Sequence, residues 1–443
     1  MFDANVAAIL IVGLLALVAL GVHIAIALGM TSALGIWFVT RDMQVVATML
    51  GSTAYESLRD YVFAVIPLFM LMGEFIGRSG AVGDVYRGIN RLLRRLPGRL
   101  AIATVLGNAL FSFVTGVSIA SAAAFSRIAF PEMKRFGYHK GFALGAVAGS
   151  SCLGMLIPPS VLMIVWGILT EKSIGQIFLA GVLPGLLLTL LFVAYIFFTA
   201  VLRPTIVGGG VETRAATGAE EVPLRAFLAS LAGIVLVIFG VLGGIWFGVF
   251  TPTEGAGAGA LIGLALAIAK GMRAREIVEA ILAVGRTSAP ILLLLVAASL
   301  YSRTLAMTGV TNAIQDLFAG TGLTPAMVIA IMVLLWFVLG MVIDSISIML
   351  LTVPIFAPIA ESLGYDPIAF AIIGILAIEA GLLTPPFGLL VYTVKAATHD
   401  EDPDVSMVQL FWSSMPYWFI ILLCMTLIIV FPAIATYLPK LVF

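Results

Sequence analysis

Two proline pairs, Pro158-Pro159 and Pro385-Pro386, each interrupt a long apolar run, and the residues around them recur at one spacing. Pro131 pairs with Pro358, Gly137-Tyr138 with Gly364-Tyr365, Gly154 with Gly381 and Ser118 with Ser345, always 227 positions apart. A helical proline lacks the N–H of its turn and collides with the carbonyl four residues earlier, so an apolar run carrying two in a row is a broken helix. Matching interruptions in two halves of a chain point to the binding site of a secondary transporter.

The medium follows from composition. With 62% apolar and 10% charged residues, the chain has too little polar surface for a soluble protein of this length. Runs such as Phe227 to Phe247 and Pro416 to Ile434 reach the roughly 20 residues that cross a bilayer core. They are continuous and not alternating, which excludes a transmembrane barrel. A formal net charge of zero gives no electrostatic case for nucleic acid. Cys152 and Cys424 lie in apolar runs and read as small buried hydrophobes, with neither a disulfide framework nor a metal site. The start, Met1 to Asn5, lacks the basic segment of a cleaved signal peptide and reads as a mature N-terminus.

Charge asymmetry sets the orientation. Arg87, Arg91, Arg94, Arg95 and Arg99, then Lys134, Arg135 and Lys140, belong to the cytoplasm by the positive-inside rule. Only residues 100–133 separate those clusters, so the chain must enter the membrane and leave by the same face. Two legs of half that length are too short to span at about 1.5 Å per residue. A re-entrant hairpin, about 100–133 with its tip near Gly116 to Ser121, satisfies both constraints. In the second half no Lys or Arg occurs from Thr304 to Val394, while Asp316, Glu361 and Asp366 flank the corresponding hairpin, about 323–361 with its tip near Asp344 to Ser347. Opposite bias on equivalent loops is the mark of an inverted repeat.

The predicted fold is therefore an all-α polytopic membrane protein with two re-entrant helical hairpins and two broken helices. Residues 1–202 form the first repeat, with spans near 4–20, 22–39, 61–79, 141–170 (broken) and 174–202. Residues 203–225 are a cytoplasmic linker containing Gly208 to Gly210, Glu212, Glu220 and Glu221. Residues 226–443 form the second repeat, with spans near 226–247, 250–269, 283–307, 367–394 (broken) and 409–434. Both termini then face outside. The segments 42–60, 80–99, 270–282 and 309–322 read as interfacial helices.

Each break exposes a negative carbonyl end, suited to a small hard cation, and a positive N-terminal end, suited to a carboxylate. Pro158 and Pro159 release the carbonyls of Gly154 and Met155; Pro385 and Pro386 release those of Gly381 and Leu382. Ser118, Ser121, Ser345 and Ser347 put hydroxyl oxygens near the gap. Asp344 has apolar neighbours, where an unpaired charge costs on the order of 3 kcal/mol; a bound cation offsets that, and a helix cap is the alternative. Glu74, Glu254 and Glu379 are open between proton site, gate and internally bonded carboxyl. No Lys or Arg lies near either tip or break, so an anionic substrate must be balanced by dipoles, hydroxyls and co-bound cations.

These residues resemble the large membrane subunit of tripartite ATP-independent periplasmic (TRAP) transporters, the DctM type, over essentially the whole chain. The likeness is most specific in Gly116-Val-Ser-Ile-Ala120, Pro131-Glu-Met-Lys-Arg135 with Gly137-Tyr138, Gly154-Met-Leu-Ile-Pro-Pro-Ser160, Thr251-Pro-Thr-Glu254, Asp344-Ser345 and Gly381-Leu-Leu-Thr-Pro-Pro-Phe-Gly388. Where the family pattern often has Ser, this chain has Val117. The resemblance implies an elevator mechanism in the bacterial inner membrane and co-transported sodium ions, with no organic cofactor. It also implies a small membrane subunit of about four helices, not fused here, and a soluble periplasmic solute-binding protein that delivers an organic acid. Carried over, sodium ligands fall at Ser118, Gly154, Pro158, Asp344, Ser345, Gly381 and Thr384. Substrate contacts fall at Ser118, Ser121, Pro159, Ser160, Ser347, Thr384 and Pro386.

Other classes fit less well. Gly116-x-Ser118 is similar to an intramembrane serine protease nucleophile, but His139 and His399 sit in charged loops and His23 starts the second span, so no base is placed for it. A passive channel is the other non-carrier reading, which saturable, ion-dependent accumulation against a gradient excludes. A stand-alone ion-coupled dicarboxylate carrier shares the plan and remains the alternative.

Overall fold

The computed structural model describes residues 4–208, 223–310 and 323–443, and those residues are almost entirely helical. Among them, eight helices are long and apolar enough to cross a membrane. The middle of the linker, with Glu212, Glu220 and Glu221, and most of the 309–322 segment with Asp316 lie outside the described residues.

Most helices fall into two sets, a peripheral and an inner one, with Ile174–Leu202, Met407–Val430 and Ala433–Val442 packed against the inner one. The peripheral set comprises Ala4–Ala19, Ile24–Thr40, Met43–Arg59, Val65–Arg78, Ala81–Leu92, Leu224–Val237, Pro252–Ala269 and Ala274–Thr308. Its contacts use small residues: Gly259 and Gly263, four apart, lie against Met72 and let the Pro252–Ala269 helix approach Val65–Arg78 closely. Ala274–Thr308 is one continuous helix of 35 residues, so the expected interfacial segment 270–282 is not a separate element. Glu276 accepts from the Arg273 backbone N–H and starts the helix, and nothing in the following turns stops it; Pro290 is accommodated inside. The 226–247 span passes through a π-helical turn at Ile238–Gly243, and a further helix, Ala433–Val442, follows the last span.

The inner set holds two helix pairs and two broken helices. Arg99–Thr115 and Ser118–Arg135, of 17 and 18 residues, meet at a turn of two residues, Gly116 and Val117. Pro325–Gly340 and Ser345–Ser362, of 16 and 18 residues, meet across 341–344. At about 1.5 Å per residue the four legs are about 24–27 Å long, and Ser345–Ser362 is one of the eight helices counted above. The first broken helix runs Lys140–Ser151, a short turn at Leu153–Leu156, then Val161–Thr170; the second runs Pro367–Gly381, then Leu389–Thr398.

Each break redirects its helix from one pair to the other. Lys140–Ser151 packs on Ser118–Arg135, whereas Val161–Thr170 packs on Ser345–Ser362. Pro367–Gly381 packs on Pro325–Gly340, whereas Leu389–Thr398 packs on Ser118–Arg135. Buried Trp166, Trp336 and Phe370 form an edge-on aromatic cluster that ties three of these elements, and the Trp336 indole N–H donates to Thr352 Oγ1 at 2.7 Å.

Ion pairs mark the two ends of this bundle. Lys134 and Lys140 meet Asp402 at 3.4 and 2.8 Å, while Lys172 meets Glu361 at 3.0 Å and Lys440 approaches Asp366 at 3.9 Å. Lys140 and Lys172 flank the two ends of the first broken helix. The first helix pair therefore opens toward one end of the bundle and the second toward the other. Cys152 and Cys424 are buried and free.

The hydrogen bond from Lys140, with Lys134 beside it, holds the Asp402 carboxyl below its usual range. A carboxyl depressed in the folded state contributes stability that is complete above the unfolded value, about 3.9, and is lost as pH falls through the folded value. We expect Asp402→Asn to lower the melting temperature by about 1–3 °C at pH 5–7, with the gap to wild type closing below about pH 4, as measured by thermal unfolding in detergent.

Candidate functional site

The two pair turns converge on one carboxylate. Ser118, the first residue of its helix, donates its hydroxyl to Glu379 Oε2 at 2.7 Å, and Ser345, the first residue of its own, donates to Glu379 Oε1 at 3.3 Å. Glu379 is 1% exposed, two residues before Gly381 on the Pro367–Gly381 helix. The positive ends of two helices thus flank a buried carboxylate that has no ion-pair partner among the described residues. Ser118 Oγ also lies 3.5 Å from the Cys152 carbonyl, at the step between Lys140–Ser151 and the short turn that follows.

Close backbone packing places the first turn. Gly116 has a φ of +62°, and a Cβ there would overlap the Pro159 carbonyl oxygen. Its own carbonyl accepts from Val161 N at 3.1 Å, so the turn seals the start of Val161–Thr170. A Cβ at Gly154 would lie 2.9 Å from the Ser118 backbone nitrogen. The second turn is held similarly, with Phe387 N donating to the Met341 carbonyl at 3.1 Å and Gly340 lying against Gly381.

Most of the released carbonyls find partners. Met155 O accepts from Ser160 Oγ at 2.5 Å, Gly381 O from Thr384 Oγ1 at 2.7 Å, and Leu382 O from Leu390 N at 3.3 Å. The expectation that the breaks leave these groups open is corrected, because a hydroxyl beside each proline pair, Ser160 after the first and Thr384 before the second, folds back on the helix end, and the Leu390 backbone N–H takes a third; each carbonyl keeps a second lone pair. Both Pro–Pro peptide bonds are cis. Residues 151–160 are all buried, whereas Pro385, Pro386 and Phe387 are exposed.

The remaining sequence candidates divide. Asp344 caps Ser345–Ser362 by accepting from Ser347 N at 3.0 Å, which is the helix-cap alternative. Ser121 is fully buried beside the first turn and its hydroxyl has no partner; Ser347 is also buried. Ser160 caps Val161–Thr170 through Met163 N. Glu74 pairs with Arg78 one turn on, and Glu254 forms a capping box with Thr251, so neither carboxylate is engaged by Ser118 or Ser345 as Glu379 is. Sequence reasoning passed over Asn108, whose amide donates to Ser150 Oγ at 2.6 Å between the first pair and the first broken helix. Its only sequence signal is an amide in an apolar leg. Among the described residues no group of three or more His, Cys, Asp or Glu comes together, so the oxygens at the turns are hydroxyls, carbonyls and Glu379.

The profile described as "Tripartite ATP-independent periplasmic transporter, DctM component" matches residues 11–434. The C4-dicarboxylate TRAP transporter large permease protein DctM of Pseudomonas aeruginosa is 32% identical, with 93% of each chain covered. The ectoine TRAP transporter large permease protein TeaC of Halomonas elongata is 28% identical over 98% of this chain and 99% of its own, and the sialic acid TRAP transporter large permease protein SiaM of Vibrio cholerae is 28% identical over 86% and 87%. Among solved structures, the Alcanivorax borkumensis YdaH transporter superposes with a TM-score of 0.65 at 14% identity, covering 91% of this chain and 89% of its own. That likeness concerns the fold.

We expect Gly116→Ala to cost more than about 2 kcal/mol, from its positive φ and the overlap with Pro159, and to cut transport at least tenfold. Thermal unfolding and uptake assays check both.

Proposed function

Because this chain belongs to the DctM family of TRAP transporters, as a large permease subunit in a multi-pass membrane fold, we propose that it imports an organic acid together with sodium ions. Association with a small membrane subunit and a periplasmic binding protein follows the family plan. In our reading the two helix pairs are re-entrant hairpins of an inverted repeat. They form, with the broken helices, a transport unit that slides against the peripheral set, both termini lying outside.

The convergence of Ser118 and Ser345 on Glu379 carries this reading. A buried carboxylate without a basic partner requires a cation or a proton at membrane depth. The hydroxyls of Ser118, Ser345 and Thr384, with carbonyls near Gly154, Pro158 and Gly381, offer hard oxygen ligands for sodium around it. Asp344 is one short turn away at the helix cap and adds negative charge to the same region.

The substrate reading rests on the asymmetry of the breaks. The start of Leu389–Thr398 has no side-chain cap and lies beside exposed Pro385, Pro386 and Phe387, so it offers a positive helix end to an entering carboxylate. The start of Val161–Thr170, sealed by Gly116 and Ser160, holds the first hairpin instead. Ser121, Pro159, Ser347 and Pro386 complete the proposed substrate contacts. The named relatives carry C4-dicarboxylate, ectoine and sialic acid, which fits a permease that leaves the choice of acid to its soluble receptor.

Reconstitution with the small subunit and receptor tests this directly. We expect uptake only with an inward sodium gradient. Glu379→Gln keeps the side-chain shape but not the charge, and we expect half-maximal uptake to need at least tenfold more sodium. Asp344→Asn retains a capping side chain, so it tests that charge alone and should shift sodium dependence in the same direction. Full uptake without sodium, or wild-type sodium dependence in both variants, contradicts the proposal.

A further inference from the structure

A cavity lies beside the start of the first broken helix, at the opposite end of Lys140–Ser151 from Cys152 and the first turn. It has a volume of about 460 Å³ and lies between the end of Ile174–Leu202 and the beginning of Met407–Val430, beside His139, Gly141 and Phe142 at the start of Lys140–Ser151. His139 N donates to the Ile206 carbonyl at 2.8 Å, which fixes this cavity at the arginine-rich end of the bundle.

Its floor is built for an acceptor. Tyr417 is 1% exposed and its hydroxyl has no hydrogen-bond partner. The base of the ring lies over Gly149 and its Cε2 comes near Gly145, so the ring runs along the Lys140–Ser151 helix toward Gly141, which lines the cavity. A buried phenolic hydroxyl without an acceptor is destabilising unless something in the cavity accepts from it.

The rim supplies a cation. Arg203 lines the cavity and is exposed, with no carboxylate within ion-pair distance among the described residues. Asp402, which pairs with Lys140 at the start of the neighbouring helix, is already engaged by Lys134 and Lys140. The Gln409 amide also lines the space. On the outer side Trp412 is exposed, and Val408 and Phe419 on the same helix are exposed as well, so the mouth opens beside apolar, lipid-facing surface.

We propose that this cavity binds the phosphate of an anionic phospholipid from the leaflet at the arginine-rich face. Arg203 and Tyr417 donate to its oxygens, Gln409 orients the headgroup, and the acyl chains leave past Trp412. A free phosphate offers the same oxygens without the chains, but the apolar mouth favours the lipid.

Native mass spectrometry of the purified complex, titrated with short-chain phosphatidylglycerol or phosphatidylcholine, tests this. We expect phosphatidylglycerol to bind at least tenfold more tightly, Arg203→Gln to weaken it about tenfold, and Tyr417→Phe to weaken it about threefold or more, the worth of a charge-assisted and a single hydrogen bond. Size exclusion checks that both variants remain folded. Millimolar inorganic phosphate should leave lipid binding unchanged. Equal binding of the two lipids, wild-type affinity in both variants, or displacement of the lipid by inorganic phosphate overturns the proposal.

Discussion

Two helix starts, 227 residues apart in sequence, hydrogen-bond the same buried carboxylate, and the arrangement of the inner helices follows from that meeting. Ser118 and Ser345 are equivalent in the two halves, yet the acceptor they share is not duplicated. At the same spacing Glu379 corresponds to Cys152, whose carbonyl lies 3.5 Å from Ser118 Oγ. Duplicated donors around a single charge produce a centre where two similar halves make one site. Burying a carboxylate in an apolar medium is costly, and the two hydroxyls and two helix starts around Glu379 offset part of that cost.

The proline pairs make this geometry possible. A straight helix through either break could follow only one helix pair, whereas a broken one leaves its first half on one pair and gives its second half to the other. The halves are locked where Trp166, Trp336 and Phe370 meet, and at each end of the bundle by charge pairs. The polar groups that such breaks free are mostly taken up at once by Ser160, Thr384 and Leu390. Irregular backbone at this depth persists because nearly every group finds a partner inside the protein.

Much of this was legible in sequence because it depends on local rules. The proline pairs, the two turns and the opposed charge bias each act within a few residues, and the breaks and helix pairs fall where those rules put them. What sequence could not settle was which side chain meets which across hundreds of residues. Glu379 stood equal with Glu74 and Glu254, and only packing separates the one that bridges two turns from the one that pairs with Arg78 and the one that caps its own helix. Asp344 had two readings because a cap and a ligand both need a carboxylate before a helix. The continuous Ala274–Thr308 helix was divided too early, since its charged start suggested a surface element while its hydrogen bonds carry on unbroken.

The account depends on the two helix pairs opening toward opposite sides of the membrane. Because Cys152 and Cys424 are buried, single cysteines placed at Arg135 and Ser362 can be labelled with a membrane-impermeant maleimide in oriented vesicles. The account predicts that the two positions react from opposite sides. Reaction of both from the same side contradicts it, and with it the shared site around Glu379.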